Sequence, residues 1–433
     1  MNVIERDAGL VRAVGPWGLA ASIFSIVIGA GIFAVPGALA ASMGVYAPVA
    51  FLVCGVVIGA AAICFAEGGS RIPTSGGIYG CIEAAFGPLP GYISGTLLWF
   101  GNALACGGIA AALADVAASV LPPRFMAPIR VIVIVGVIGG VALVNTRGIT
   151  RASQLVDVAA TLKLIPLAIF VIAGLGAMHR ANFSRMIHPD TEGIGRALIL
   201  ATFLLTGMEV SLAASGEVRD PSRTIPRALA IGMVSVTLLY IVIQVIAQGI
   251  LGLALAGSAV PLADAMARIS PALRLLILAG AGLSMFGYIS GDLLASPRIL
   301  FAFGRDGLLP RAFGRVQSRT HAPHIAILSY AALAAGFALT GTFAELAVLS
   351  TLATAALYIA GCAAVWRLKR RGAALAGPPL NFRWLGAATV IAILGMLALI
   401  ALASRPEILG LIALIAASSL IYLVQTRGTL TRR

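Results

Sequence analysis

The sequence predicts an all-helical protein that crosses a membrane many times, and three observations predict it. Of 433 residues, 60% are hydrophobic and only 11% are charged, with a mean hydropathy of +1.02. A soluble domain carries about a quarter charged residues, and a single soluble core stops growing beyond about 250–300 residues. No aqueous fold could hide this much apolar surface. The apolar residues run in long unbroken stretches rather than alternating segments of about ten, which selects helices over a transmembrane barrel. No connection is long enough to form a separate soluble domain, so residues 1–433 read as one transmembrane unit.

A helical crossing takes about 20 apolar residues, and reading along the chain gives twelve. They are 17–40, 45–66, 92–119, 128–145, 154–177, 196–214, 227–252, 273–302, 323–341, 344–366, 384–403 and 407–425. The first needs a check, because Ala38-Leu39-Ala40 imitates a signal-peptidase site. It follows acidic Glu5 and Asp7, contains Pro36 and leads straight into further spans, so it reads as a retained helix. An even number of spans puts both termini on one side. The termini and the loops on their side hold 21 Lys and Arg, including Arg305, Arg311, Arg315, Arg319 and the Arg367–Arg371 cluster. The opposite loops hold 8, among them Arg124, Arg180 and Arg405. That bias orients both termini to the cytoplasm of a cell inner (plasma) membrane.

The same bias accounts for the net charge of +14. The basic residues are spread over many short connections rather than gathered in one tail, so no nucleic-acid partner is expected. The five cysteines (Cys54, Cys64, Cys81, Cys106 and Cys362) are scattered and mostly lie within apolar spans. They form neither a disulfide framework nor a metal site, and read as small hydrophobes. His179 and His188 have no metal-like spacing. No metal or cofactor is expected.

The most informative segment lies in the first span, Ile26-Val-Ile-Gly-Ala-Gly-Ile-Phe-Ala-Val-Pro-Gly37. Glycine in a helix interior costs about 1 kcal/mol and proline about 3 kcal/mol. Close packing through small residues would account for the glycines equally well. The sixth span tips the balance, because Phe203-Leu-Leu-Thr-Gly-Met-Glu209 sets a glycine beside an acid at mid-depth. The two segments lie five spans apart, at matching places in a 5+5 arrangement. Paired interrupted helices in two halves point to a transporter binding site. Unwound backbone survives at membrane depth only where it is buried in protein or lines a cavity. Its free N–H groups suit a carboxylate and its free carbonyls suit an ammonium, so a zwitterionic amino acid fits both.

These motifs carry a resemblance. Gly29-Ala-Gly-Ile-Phe-x-x-Pro-Gly37 is similar to the first-helix signature of the amino acid–polyamine–organocation superfamily. Phe203-x-x-x-Gly207-x-Glu209 and Gly216-Glu-Val-Arg-Asp-Pro-Ser-Arg-Thr-Ile-Pro-Arg-Ala228 resemble its sixth helix and following loop. Ser296-Pro-Arg298, Gly304-Arg-Asp-Gly307-Leu-Leu-Pro310 and Ala322-Pro323 resemble the eighth helix and its loop. Pro73-Thr-Ser-Gly-Gly77-x-Tyr79 and Phe86-Gly87-Pro88 match the stretch after the second. The matches keep their order across residues 15–330, which makes the set specific where no single motif is.

The resemblance implies a LeuT-type fold of twelve helices with the first and sixth discontinuous. Residues 15–177 and 194–366 would be inverted repeats, and residues 384–425 two extra helices. The N–H groups of Ala30 and Gly31 would receive a substrate carboxylate, and the carbonyls of Val27, Phe203, Leu204 and Thr206 its amine. Side-chain selection would come from Asn102, Cys106, Leu205 and Met208. Trp99-Phe-Gly-Asn102 is similar to a stretch of the arginine–agmatine antiporters where the asparagine meets substrate, although a membrane asparagine also serves as structural glue.

Lys163 is the sharpest single residue. Every other Lys or Arg belongs to a loop or a helix end, whereas Lys163 lies about nine residues into the fifth span, in Thr161-Leu-Lys-Leu-Ile-Pro166. A charge there is a functional hypothesis by default. In family members with this lysine, the resemblance implies, the ammonium takes the place of sodium in sodium-coupled relatives. It would tie the first helix to the fifth and to Ser290 or Asp292, and release them when the proton leaves. Glu209, just past the sixth-helix glycine, stands where relatives carry an acid linked to gating or protons. Asp292 departs from the small or amide residues of the family and is a candidate partner for Lys163. Asp115 and Asp157 read as helix-end residues.

The expected function is therefore secondary active, proton-coupled amino acid transport, with amino acid or amine exchange without net proton flow as the alternative. An intramembrane enzyme would need convergent acid, base or nucleophile groups within spans, yet the four histidines lie in loops or at helix ends. A channel would need a symmetric ring of filter residues, and the glycine breaks occur once per half.

Overall fold

A computed structural model of the chain describes residues 15–72, 78–147, 163–183, 189–207, 221–317, 320, 322–374 and 379–430. Among them the regular structure is entirely helical. The α-helices run α1 (Pro16–Val27), α2 (Val35–Met43), α3 (Ala47–Arg71), α4 (Ile78–Phe86), α5 (Pro88–Ala118), α6 (Met126–Thr146), α7 (Leu164–Leu175) and α8 (Thr191–Leu205). There follow α9 (Pro221–Leu251), α10 (Pro261–Ala267), α11 (Pro271–Ala295), α12 (Pro297–Arg305), α13 (His324–Thr340), α14 (Phe343–Arg370), α15 (Leu385–Ala401) and α16 (Arg405–Leu430).

Seven helical runs among the described residues are long and apolar enough to cross a membrane, and α7, α13 and α15 are shorter apolar helices. The protein is a multi-pass membrane protein. Large apolar side chains stand exposed all along these helices, for example Leu52, Val234, Leu394 and Leu420, as expected where lipid is the solvent. The first expected span appears as α1 and α2, separated by an interruption. Gly44 takes φ +54° as α2 gives way to α3. The expected spans that begin at 154 and end at 214 pass into residues outside the described set, as do Asp157 and His188.

Proline opens many of these helices, where its missing N–H is one of the unpaired donors anyway. Thr342 and Glu345 close a reciprocal capping box at the start of α14. Helix α5 is the centre of the bundle: 78% of its most apolar window is buried, against 6% for α16 at the lipid-facing edge. It packs against α6, α11, α13 and α14, while α9 packs against α1 and α3, and α8 against α2 and α3. Helix α14 also meets α3 and α8. Pro166 of α7 sits directly on Gly280 of α11, where no Cβ would fit.

The α14–α15 connection is fastened to the end of α3 by a buried ion pair. Arg71 is 2% exposed and Glu67 fully buried. The Arg71 Nε donates to Glu67 Oε1 at 2.8 Å, and its two other nitrogens donate to the Ala373 carbonyl and Asn381 Oδ1. The second Glu67 oxygen accepts the Phe382 N–H at 2.8 Å. Two buried charges are tolerated when hydrogen bonds satisfy their remaining donors and acceptors.

Candidate binding cavity

The first interruption follows from a tight three-residue turn. Helix α1 stops at Val27, and Ile28 takes φ −68°, ψ 80°. The Gly29 N–H thereby turns back onto the Val27 carbonyl at 2.6 Å. Gly29 is extended, and a short 3-10 helix, Ala30–Phe33, leads toward α2. The Val27 carbonyl also accepts the Tyr240 hydroxyl at 2.8 Å, so α9 braces the turn.

The second interruption is made by Thr206 and Gly207. Thr206 is extended (φ −78°, ψ 168°), and its hydroxyl donates to the Phe203 carbonyl at 2.8 Å. Gly207 takes φ +108°, a region that side chains rarely tolerate, and that ends α8. Met208 and Glu209 lie outside the described residues.

Both interruptions border one cavity of about 440 Å³. Val27, Ala30, Gly31, Asn102, Lys163, Phe203, Leu204, Thr206 and Asp292 all line it. The Phe203 ring lies over Gly31: a Cβ there would meet the ring at 3.3 Å. Phe203 also makes an edge contact with Phe343, with ring centres 5.9 Å apart. Lys163 stands at the N-terminus of α7 with 9% of its surface exposed.

A polar wall faces this backbone. Asn102 Nδ2 donates to Ser296 Oγ at 3.0 Å, and Ser296 Oγ donates to Asp292 Oδ1 at 2.7 Å. The Tyr330 hydroxyl donates to Asp292 Oδ2. This chain ties α5, α11 and α13 together. Cys106 is fully buried and contacts Asp292 from behind rather than lining the cavity. Leu205 is fully buried too. Ser290 lies off the cavity, and its buried hydroxyl has no hydrogen-bond partner among the described residues. It sits two positions from Asp292, about 200° round the helix. Asp115 pairs with Arg130 at 3.2 Å near a helix end.

Sequence reasoning missed Tyr240, Ser284, Tyr288, Ser296, Ser350 and Thr354, all of which line the cavity. A signal existed for several of them. Ser284, Tyr288, Asp292 and Ser296 recur every four residues along α11 and its C-cap, and Ser350 and Thr354 do so on α14, which puts each set on one helix face. Tyr240 carried no such signal.

Comparison with known proteins follows the same outline. An amino acid permease family model matches residues 14–417. The chain is 26% identical over 377 residues to the methylthioribose transporter of Bacillus subtilis, covering 82% of this chain and 81% of that one. It is 27% identical over 376 residues to the branched-chain amino acid permease of Lactococcus lactis, covering 80% and 79%. It is 28% identical over 380 residues to the serine/threonine exchanger of Bacillus subtilis, covering 84% and 85%.

Proposed function

The chain belongs to the amino acid permease family, and on that footing we propose that it is a secondary active transporter that carries a small amino acid across the cell inner membrane by alternating access. The observation that carries this reading is the pair of interrupted helices, at Ile28–Gly29 and Thr206–Gly207, that border one cavity. In this reading residues 15–177 and 194–366 are the inverted repeats of a twelve-span LeuT-type fold, 384–425 lies outside them, and both termini are cytoplasmic.

The Ala30 and Gly31 N–H groups take the carboxylate at the start of the 3-10 helix, and the carbonyls of Phe203, Leu204 and Thr206 take the ammonium. The Val27 carbonyl already holds two donors, the Gly29 N–H and the Tyr240 hydroxyl. It joins the ammonium only when Tyr240 lets go, which makes Tyr240 a positioning residue. Asn102 meets the side chain, with Cys106 behind it and Met208 at the second break. The apolar and small residues at the two breaks favour a neutral amino acid, in keeping with the relatives named for branched-chain amino acids and for serine and threonine.

Coupling is assigned to Lys163, with Asp292 on the same cavity and Glu209 and Ser290 as further gating candidates. Protonated Lys163 ties α7 to the broken first helix; neutral, it frees the helices to move. The second reading is exchange without net proton flow, which the serine/threonine exchanger among the relatives favours. Purified protein in liposomes separates them. Under the first reading, an inward pH gradient drives accumulation, and Lys163→Ala abolishes that accumulation while leaving counterflow. Full gradient-driven accumulation by Lys163→Ala would end the coupling assignment, and counterflow indifferent to the gradient in the unaltered protein would establish exchange.

A further inference from the structure

A second cavity, also of about 440 Å³, opens between α3, α9 and the α14–α15 connection. Its floor is a recess left by Gly55, Gly59, Ala62 and Ala66 on one face of α3. Its rims are Leu52, Val234 and Leu238, each more than half exposed toward the lipid. Among the described residues the one polar residue that lines it is Thr237. From Leu52 to Ala66 the groove follows α3 for about 21 Å at 1.5 Å per residue. Half a hydrocarbon core is about 15 Å. With the Lys/Arg bias placing the α14–α15 connection in the cytoplasm, the groove reaches from the cytoplasmic interface to about 6 Å past the bilayer midplane.

The cytoplasmic lip is built rather than loose. Leu380 and Phe382 line it. The Leu380 N–H donates to Ser70 Oγ at 3.1 Å, the Phe382 N–H donates to buried Glu67, and the Phe382 carbonyl accepts the Lys369 ammonium at 2.6 Å. Immediately beside lining residues Pro226 and Phe382 stand Arg227 and Arg383, both exposed. The Arg383 guanidinium lies 5.9 Å from the ring centre of Trp384, itself 66% exposed. Tryptophan and arginine together mark headgroup level.

We propose that this groove holds one anionic phospholipid of the cytoplasmic leaflet, with an acyl chain along the small-residue face of α3 and the phosphate between Arg227 and Arg383. The apolar lining disfavours a polar solute, its length covers one leaflet, and its basic mouth selects a negative headgroup. The inference rests on membrane embedding and orientation, and holds whatever solute the central cavity takes.

Native mass spectrometry of the full-length protein tests it, after delipidation and titration with dioleoyl phosphatidylglycerol or dioleoyl phosphatidylcholine. One phosphatidylglycerol per chain is expected to bind first, with a preference of about 30-fold, from two basic side chains at about fivefold each. Arg227→Gln/Arg383→Gln removes the preference and keeps weak binding of both lipids. A side chain at Gly59 meets nothing within 4 Å of its Cβ, so Gly59→Phe fills the groove and abolishes both. Leu238→Trp, at a position 56% exposed, is the alternative filling variant should Gly59→Phe fail to fold. Equal occupancy by the two lipids, or phosphatidylglycerol retained by a folded groove-filling variant, overturns the proposal. So does a second copy of the chain lost on filling the groove, which would identify a helix as the occupant.

Discussion

Two glycines separated by Ala30 in the first interruption should respond in opposite ways to the same added methyl. At Gly29 the backbone is extended (φ −81°, ψ −177°), a conformation open to alanine. A Cβ there meets only the Val27 carbonyl oxygen, at 3.8 Å. At Gly31 a Cβ meets Phe203 Cε1 at 3.3 Å and Leu204 Cγ at 3.6 Å. The ring, which also packs against Phe343, must move by a few tenths of an ångström, or the turn must shift. Either response disturbs the N–H groups proposed to hold the carboxylate. A hydrogen bond to a charged group contributes about 1.5–3 kcal/mol, so losing one weakens substrate binding about 10- to 150-fold. The assay is concentration-dependent uptake into liposomes for Gly29→Ala, Gly31→Ala and the unaltered chain, with thermal unfolding as the control for folding. Gly29→Ala should match the unaltered protein within about twofold, a difference of about 0.4 kcal/mol. A folded Gly31→Ala protein with unchanged half-saturation would refute the placement of the carboxylate.

Two further outcomes follow from long-range contacts. Glu67→Ala strands a guanidinium that is 2% exposed and should cost about 3–5 kcal/mol in reversible unfolding from mixed micelles; Glu67→Met/Arg71→Met should recover only part of that, because the Phe382 N–H, the Ala373 carbonyl and Asn381 each lose a partner. A single variant within about 1 kcal/mol of the unaltered protein would mean water reaches the pair. Tyr240→Phe removes the 2.8 Å bond to the Val27 carbonyl and should lower stability by about 1 kcal/mol while tightening substrate binding by up to about tenfold; a merely structural tyrosine would change stability alone.

Hydropathy made the membrane class and most of the helices legible, because a crossing needs a continuous apolar run. The first interruption was legible as well, since Gly29, Gly31 and Pro36 stand within a dozen residues of one another. What makes it a turn was not. The Val27 carbonyl is satisfied by a hydroxyl 213 residues away, and no local pattern announces that partner. The polar wall was half legible: Asn102 and Asp292 were readable as polar groups within spans, whereas the four-residue period that groups Asp292 with Ser284, Tyr288 and Ser296 went unread. Arg71 read as one more cytoplasmic arginine at a helix end. Its burial depends on Ala373 and Asn381, which reach it only once α14 and α15 have packed against α3.

The two breaks share a feature that bears on how tightly they can bind anything. An unsatisfied peptide group at membrane depth costs several kcal/mol, and here the breaks partly cap themselves. Gly29 and Tyr240 occupy the Val27 carbonyl, the Thr206 N–H returns to Thr202, and the Thr206 hydroxyl covers Phe203. A solute arriving at these carbonyls exchanges hydrogen bonds rather than filling empty ones. Exchange contributes about 0.5–1.5 kcal/mol per bond, against 4–6 kcal/mol for a bond made to a bare group in an apolar medium. A carrier must release what it binds on the far side of the membrane, and self-capped breaks keep the bound state shallow enough for release. The same capping lets the helices stay interrupted when the cavity holds only water.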